Sequence, residues 1–265
     1  MTADPTSGAH VYATAVHKRF ADGTVAVDNL DVEVSPGQFV ALVGPSGCGK
    51  STFLRLVAGL TGISAGTLTV DGMPPHEARA SQRRLAYVLQ DPTLLRWRRV
   101  RDNVALPLEL RHMPRNDIQV RVNDALELVG LQDVGDMFPR QLSGGMRMRV
   151  SIARALVAEP SLLLLDEPFA ALDEITRQRL NDELLELWRQ RRFTCLFVTH
   201  SVQEATYLSQ RVLVMGPRPT RVTAEHGVAF DEPRSATLRT DLAFVRLVAG
   251  VSRDLSQAME ERPAE

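Results

Sequence analysis

Gly44, Pro45, Ser46, Gly47, Cys48, Gly49, Lys50, Ser51 and Thr52 fit the spacing G-x-x-x-x-G-K-[ST]. The apolar run Phe39 to Val43 precedes them, and Phe53, Leu54, Leu56 and Val57 follow at helical spacing, so the motif has its strand, loop and helix. Gly44, Gly47 and Gly49 carry no Cβ and let successive backbone N–H groups turn toward one point, while the next helix adds its positive end. Lys50 can then reach β- and γ-phosphates, and the Ser51 hydroxyl can ligate Mg²⁺. The expected ligand is a nucleoside triphosphate.

The chain has 265 residues, 44% of them hydrophobic, enough for one large α/β domain with an insertion. With 31 basic and 32 acidic side chains, bulk electrostatic binding of nucleic acid is not expected. No stretch approaches the roughly 18 apolar residues of a membrane span, and the first residues lack the charged and apolar regions of a signal peptide. A cytoplasmic chain is expected, with any membrane contact made through a partner. Cys48 and Cys195 form no disulfide or metal framework; Cys48 reads as a small loop-filling residue.

Residues 1–10 read as a flexible tail. Val11 to Val16 and Val27 to Val34 read as strands around a turn at Gly23, and a turn bracketed by Gly62 and Gly66 leads to a strand over Thr67 to Asp71. Another strand is expected from Leu85 to Leu89. Strands on both sides of the phosphate loop predict an antiparallel layer beside a parallel core. Roughly residues 92–144 show no strand pattern: Ile118, Val122, Leu126 and Val129 follow helical spacing to Gly130, and a helical run from Val100 is interrupted by Pro107. Alternation then resumes with a helix to Ala158, the strand Leu162 to Leu165, a helix carrying Leu180, Leu184, Leu187 and Trp188, the strand Cys195 to Thr199, a helix over Val202 to Leu208 and the strand Val212 to Met215. The expected layout is a main domain over residues 11–230, containing the helical insertion, and an extension over residues 231–265 with a helical patch at Leu242, Val245 and Val248.

At the end of Leu162 to Leu165 stand Asp166 and Glu167. Carboxylates at a sheet's C-terminal edge can meet a phosphate loop there. One would hold Mg²⁺ and the next would orient an attacking water.

The ordered set of Gly44 to Thr52, Gln90, the run Leu142, Ser143, Gly144, Gly145 and Met146, then Asp166, Glu167, Asp173 and His200 resembles the nucleotide-binding subunit of ATP-binding-cassette (ABC) transporters. The likeness runs from about Val11 to Met215. It implies a phosphate-loop α/β core with an antiparallel β subdomain and an inserted helical subdomain, an ATPase using ATP and Mg²⁺. Ser143 reads independently as a helix N-cap, making a second anion-binding helix end. In the family that end completes the site of a second, head-to-tail copy, so a homodimer is implied. The resemblance makes Glu167 the general base or water-orienting residue, places His200 on the γ-phosphate, gives Gln90 to Mg²⁺ and the attacking water, and makes Asp173 the coupling residue across the dimer. It places Phe20 on the adenine; Tyr12 competes, and spacing to the phosphate loop favours Phe20. Leu94, Leu95 and Trp97 present an aromatic and apolar loop suited to an interface anchor, and the resemblance assigns it to an integral-membrane permease subunit.

Leu94 through Val104, with Glu167 through Arg177, are similar to importers of nitrate, sulfonate, taurine and related small anions, which commonly carry Pro where Arg96 stands and whose cargo a separate solute-binding protein selects. Importers of pyrimidine or thiamine precursors share much of the pattern. A soluble ABC ATPase without a transport role and a nucleotide-gated regulator are the readings from other classes.

Overall fold

The computed structural model describes residues 8–80 and 85–260. In chain order its strands are β1 (Val11–Arg19), β2 (Val25–Val34), β3 (Phe39–Val43), β4 (Ala65–Val70), β5 (Leu85–Val88), β6 (Leu162–Asp166), β7 (Thr194–Val198), β8 (Arg211–Met215) and β9 (Val222–Gly227). The helices are α1 (Lys50–Val57), α2 (Pro75–Ala80), α3 (Val100–Glu109), α4 (Arg115–Leu128), α5 (Gly144–Leu156), α6 (Glu174–Arg191), α7 (Val202–Leu208) and α8 (Leu242–Glu260).

Among the described residues these strands make an antiparallel sheet, β2-β1-β4, and a larger sheet, β5-β6-β7-β3-β8-β9, parallel except for β9. In β1, Val11, Ala13 and Val16 are buried while Tyr12 and Thr14 face out, the pattern of a sheet wetted on one side. Strands β3, β6 and β7 are buried at every position, because layers cover both faces of the larger sheet. Phe39, Ala41 and Val43 enter one core and Val40 and Leu42 the other, so a single strand stitches two hydrophobic layers together. Trp188 of α6 is fully buried against the edge of Phe39, and its indole N–H donates to Gly37 O at 3.1 Å.

The antiparallel layer, the parallel core and the strand-free insertion all appear as the pattern predicts. Pro107 does not interrupt α3: it lies near the end of the helix, and Leu110 N still donates to Leu106 O at 3.1 Å. Gly66 is not in a turn but inside β4, at φ +86°, facing an irregularity of β1 between Thr14 and His17. The tail expected over residues 1–10 is packed at its end: Gly8 and Ala9 are buried, Ala9 N donates to Ser161 O at 3.1 Å, and Thr194 Oγ1 donates to Ala9 O at 2.5 Å. Residues 1–7 lie outside the described residues, as do 261–265. Strand β9 and the short α2 carry no clear pattern and were not expected. Helix α8 spans far more than the patch at Leu242, Val245 and Val248; it buries Phe244, Val251 and Ala258 in the same core as the parallel sheet, and Asp254 meets His226 of β9 at 2.7 Å. Among the described residues no helix is long and apolar enough to cross a membrane.

A Cβ at Gly66 would overlap the Ala15 carbonyl oxygen, whereas one at Gly62 meets nothing within 4 Å. Gly66→Ala is therefore expected to destabilise the fold by about 1–3 kcal/mol, and Gly62→Ala to leave the urea midpoint almost unchanged.

Candidate active site

Parallel order brings four strand ends to one edge of the larger sheet. The phosphate loop leaves β3, Gln90 follows β5, Asp166 and Glu167 end β6, and His200 follows β7. Register enforces this: Val88 pairs with Leu165, Asp166 with Val198, and Leu42 with Val198.

In the loop, Gly49 at φ +131° admits no side chain, since a Cβ would sit 2.7 Å from Ala26 O and 2.8 Å from Thr220 Cγ2. Helix α1 starts at Lys50, whose ammonium is buried and donates to Gly44 O and Pro45 O, each at 2.8 Å. Cys48 is buried under the loop, as a filler would be, with Sγ 3.8 Å from Lys50 Nζ. Ser51 Oγ donates to Asp166 Oδ1 at 2.8 Å, and Tyr87 OH donates to Asp166 Oδ2 at 3.1 Å. Burial first, and the Asp166 charge second, push the Tyr87 phenol well above its usual range.

Glu167 adopts the left-handed region, φ +51°, a conformation that side chains with a Cβ enter at a cost. Its amide donates to Val198 O at 2.9 Å, pinning it to β7. Gln90 Nε2 donates to Glu167 Oε2 at 3.2 Å, and His200 Nε2 lies 2.6 Å from Oε1. Lys50, Ser51, Gln90, Glu167 and His200 thus line one cleft of about 330 Å³, together with Ser46, Gly47, Gly49, Thr52 and Arg218.

A family model described as ABC transporter matches residues 27–170. The chain belongs to the ABC transporter family. It is similar to the aliphatic sulfonates import ATP-binding protein SsuB of Cupriavidus necator, 43% identical over 256 residues that cover 97% of this chain and 80% of that protein. It is also similar to the taurine import ATP-binding protein TauB of Sinorhizobium fredii, 46% identical over 233 residues, 86% of each chain. Among solved structures, a dimeric post-hydrolysis state of the ATP-binding cassette MJ0796 bound to ADP and Pi has a TM-score of 0.76 and 28% identity, covering 83% of this chain and 100% of that one. The chain is an ABC ATPase, and ATP is its ligand.

Several residues of the cassette stand outside the cleft. Ser143 caps α5, its hydroxyl accepting from Met146 N at 3.2 Å, and Ser143 and Gly144 are exposed. Leu142 is buried behind them, and Gly145 sits against Leu172. Asp173 caps α6 by accepting from Thr176 N at 2.9 Å; that hydrogen bond holds its carboxyl below the ordinary range. Phe20 lies in the β1–β2 turn, 39% exposed, with Lys18 Nζ 5.2 Å from its ring centroid. Tyr12 is equally exposed, on β1.

The loop after Gln90 is firmly held. The buried Asn103 accepts from Leu95 N at 2.7 Å and donates to the carbonyls of Leu95, Arg98 and Arg99 at 3.0–3.1 Å. Arg154 donates to Thr93 O at 2.8 Å. Leu94 and Leu95 are half-buried, but Trp97 is 75% exposed and does not pack into the insertion.

Three features at or beside the cassette's site escaped the sequence: Tyr87, Arg218, and a clamp on the residues that flank His200. In that clamp Thr199 Oγ1 donates to the buried Glu204 Oε2 at 2.6 Å and accepts from Ser201 N at 3.0 Å, while Arg177 Nε stands 3.5 Å from Glu204 Oε1. Burial raises the Glu204 carboxyl above its ordinary range, with Thr199 and Arg177 opposing. An acid raised in this way contributes stability that is present below its unfolded pKa and lost as pH rises through the higher folded value. Glu204→Gln removes that titration, so the thermal midpoint of the variant relative to wild type is expected to climb as pH rises above the ordinary carboxylate range, as read by differential scanning calorimetry.

Proposed function

We propose that this chain is the ATP-hydrolysing subunit of an importer for a small anionic solute of the sulfonate class, acting through partner membrane subunits at the cytoplasmic face. The relatives with import functions support the solute class. The reading of the site is carried by one observation: Glu167, held by Gln90 and His200, lines one cleft with Lys50 and Ser51, and Ser51 is bonded to the buried Asp166 beneath it.

In this reading the loop amides from Gly44 to Thr52 and the Lys50 ammonium bind the β- and γ-phosphates, and Phe20 stacks on the adenine. Ser51 and Asp166, with their oxygens 2.8 Å apart, and the amide oxygen of Gln90 form a hard-oxygen donor set that fits Mg²⁺. Mg²⁺, when bound, neutralises charge developing on the β- and γ-oxygens. Glu167 orients a water in line with the γ-phosphorus and accepts its proton as the bond to the ADP oxygen breaks. His200 donates to a γ-phosphate oxygen, releasing its hold on Glu167.

Ser143, Gly144 and Gly145 at the open end of α5, flanked by Leu142 and Met146, contact ATP held by a second copy of the chain. Asp173 couples the two sites. The exposed Trp97, with Leu94 and Leu95, receives a helix of the permease subunit, and a separate solute-binding protein delivers the cargo. No nucleic acid takes part.

Glu167→Gln is expected to lower ATP turnover at least about 100-fold and to accumulate as an ATP-dependent dimer in size-exclusion chromatography. A variant that hydrolyses like wild type and stays monomeric in ATP overturns the assignment of Glu167.

A further inference from the structure

Arg218 belongs to none of the motifs, yet it stands in the wall of the cleft. It is carried by the connection between β8 and β9, which is tied down on both sides. Gly216 N donates to Arg221 O at 2.9 Å, Thr220 N to Ala26 O at 3.0 Å, and Asp28 N to Thr220 O at 3.2 Å. Thr220 is buried against Gly49, so the connection rests on the phosphate loop itself. From this base the exposed Arg218 side chain reaches back, and its NH2 donates to Gly47 O at 2.8 Å.

That acceptor is a neutral carbonyl, and among the described residues no carboxylate forms an ion pair with the guanidinium. Its field reaches Asp22 in the β1–β2 turn, whose carboxyl is held low mainly by hydrogen bonds from Thr24 and in smaller part by Arg218. Lys50 is in the same condition, its ammonium resting on Gly44 O and Pro45 O. Two cations from different parts of the chain thus rest on carbonyls of one loop, at one cleft. Carbonyls satisfy the donors without neutralising the charge. A planar guanidinium matches phosphate oxygens better than a single carbonyl, with two parallel donors.

We propose that Arg218 is a second cation of the nucleotide site, leaving the Gly47 carbonyl to pair with phosphate oxygens of bound ATP or ADP beside Lys50. This rests on the reading of residues 44–52 as the phosphate-binding loop. Arg218 then adds affinity for the phosphate chain without taking part in the attack of water.

The test is calorimetric binding of MgATP and MgADP to the full chain, comparing wild type with Arg218→Ala, Arg218→Lys and Lys50→Ala at low and high KCl, with unliganded thermal midpoints alongside. Arg218→Ala is expected to weaken both nucleotides about tenfold or more, to flatten the salt dependence, and to leave the unliganded midpoint unchanged. Arg218→Lys is expected to recover part of the affinity, since it keeps the charge and loses the fork. If Lys50→Ala loses binding while Arg218→Ala matches wild type, Arg218 is only a clip on the Gly47 carbonyl and the proposal fails. An affinity loss that accompanies a lower unliganded midpoint and that Arg218→Lys does not relieve overturns it too. If Lys50→Ala itself binds normally, it is the reading of the loop that falls.

Discussion

The parallel register of β5, β6, β7 and β3 is the constraint on which everything at the cleft depends. Hydrogen bonding fixes Val88 beside Leu165, Asp166 beside Val198, and Val198 beside Leu42. Each of these pairs is at or near a strand's end, so the residues that follow have no choice but to emerge together. A slip of one residue in β6 would turn Asp166 and Glu167 to opposite faces and exchange the two core layers that Leu162 and Leu163 now fill. With both faces of the sheet buried, that slip would leave charge in hydrophobic packing and apolar side chains at the wet edge. Hydrophobic burial across two layers therefore also aligns the polar edge.

On that edge the two adjacent carboxylates have different surroundings. Asp166 is nearly sealed from solvent and has both oxygens served by hydroxyls, from Ser51 and Tyr87. Glu167 turns through a left-handed backbone and is held by an amide and an imidazole, from two other strand ends. Hydroxyls on a buried carboxylate suit a fixed ligand; partners that can themselves swing to phosphate or water suit a group that must be released. The division of labour proposed for the pair, metal holding for Asp166 and water activation for Glu167, follows from these surroundings as well as from their order in the chain. The helix end at Ser143 stays outside the cleft, which agrees with its proposed use by a second copy.

Much of this was legible in the sequence because the motifs are local: the phosphate loop, the strand-borne Asp166 and Glu167, the cap at Ser143 and the strand before His200 each write their geometry within a few residues. What failed was tertiary. Strand β9 alternates between half-buried and exposed with Thr223, Glu225 and Gly227 outward, and its remaining side chains are too mixed to signal a strand. Gly66 has a turn's composition but serves a close approach to β1. Pro107 looks like a helix breaker and falls where the helix is already ending. Arg218 is a single arginine between two prolines, and nothing nearby in sequence says that Gly47 is its partner.

Strand β5 deserves its place at the edge of the sheet for a mechanical reason. Tyr87 within it donates to Asp166, and Gln90, just past its end, donates to Glu167. The next residues form the loop that Asn103 and Arg154 brace against the helical subdomain, and that loop ends in the exposed Trp97. Among the described residues β5 is an edge strand that pairs only with β6. The hydrogen bonds of Tyr87 and Gln90 thus join both carboxylates to this one strand and the residues just after it. Asn103 ties the loop to α3 at four backbone groups. The run of contacts from the cleft to the proposed membrane-subunit surface is thus short and continuous, with an edge strand at its start and a braced loop at its end.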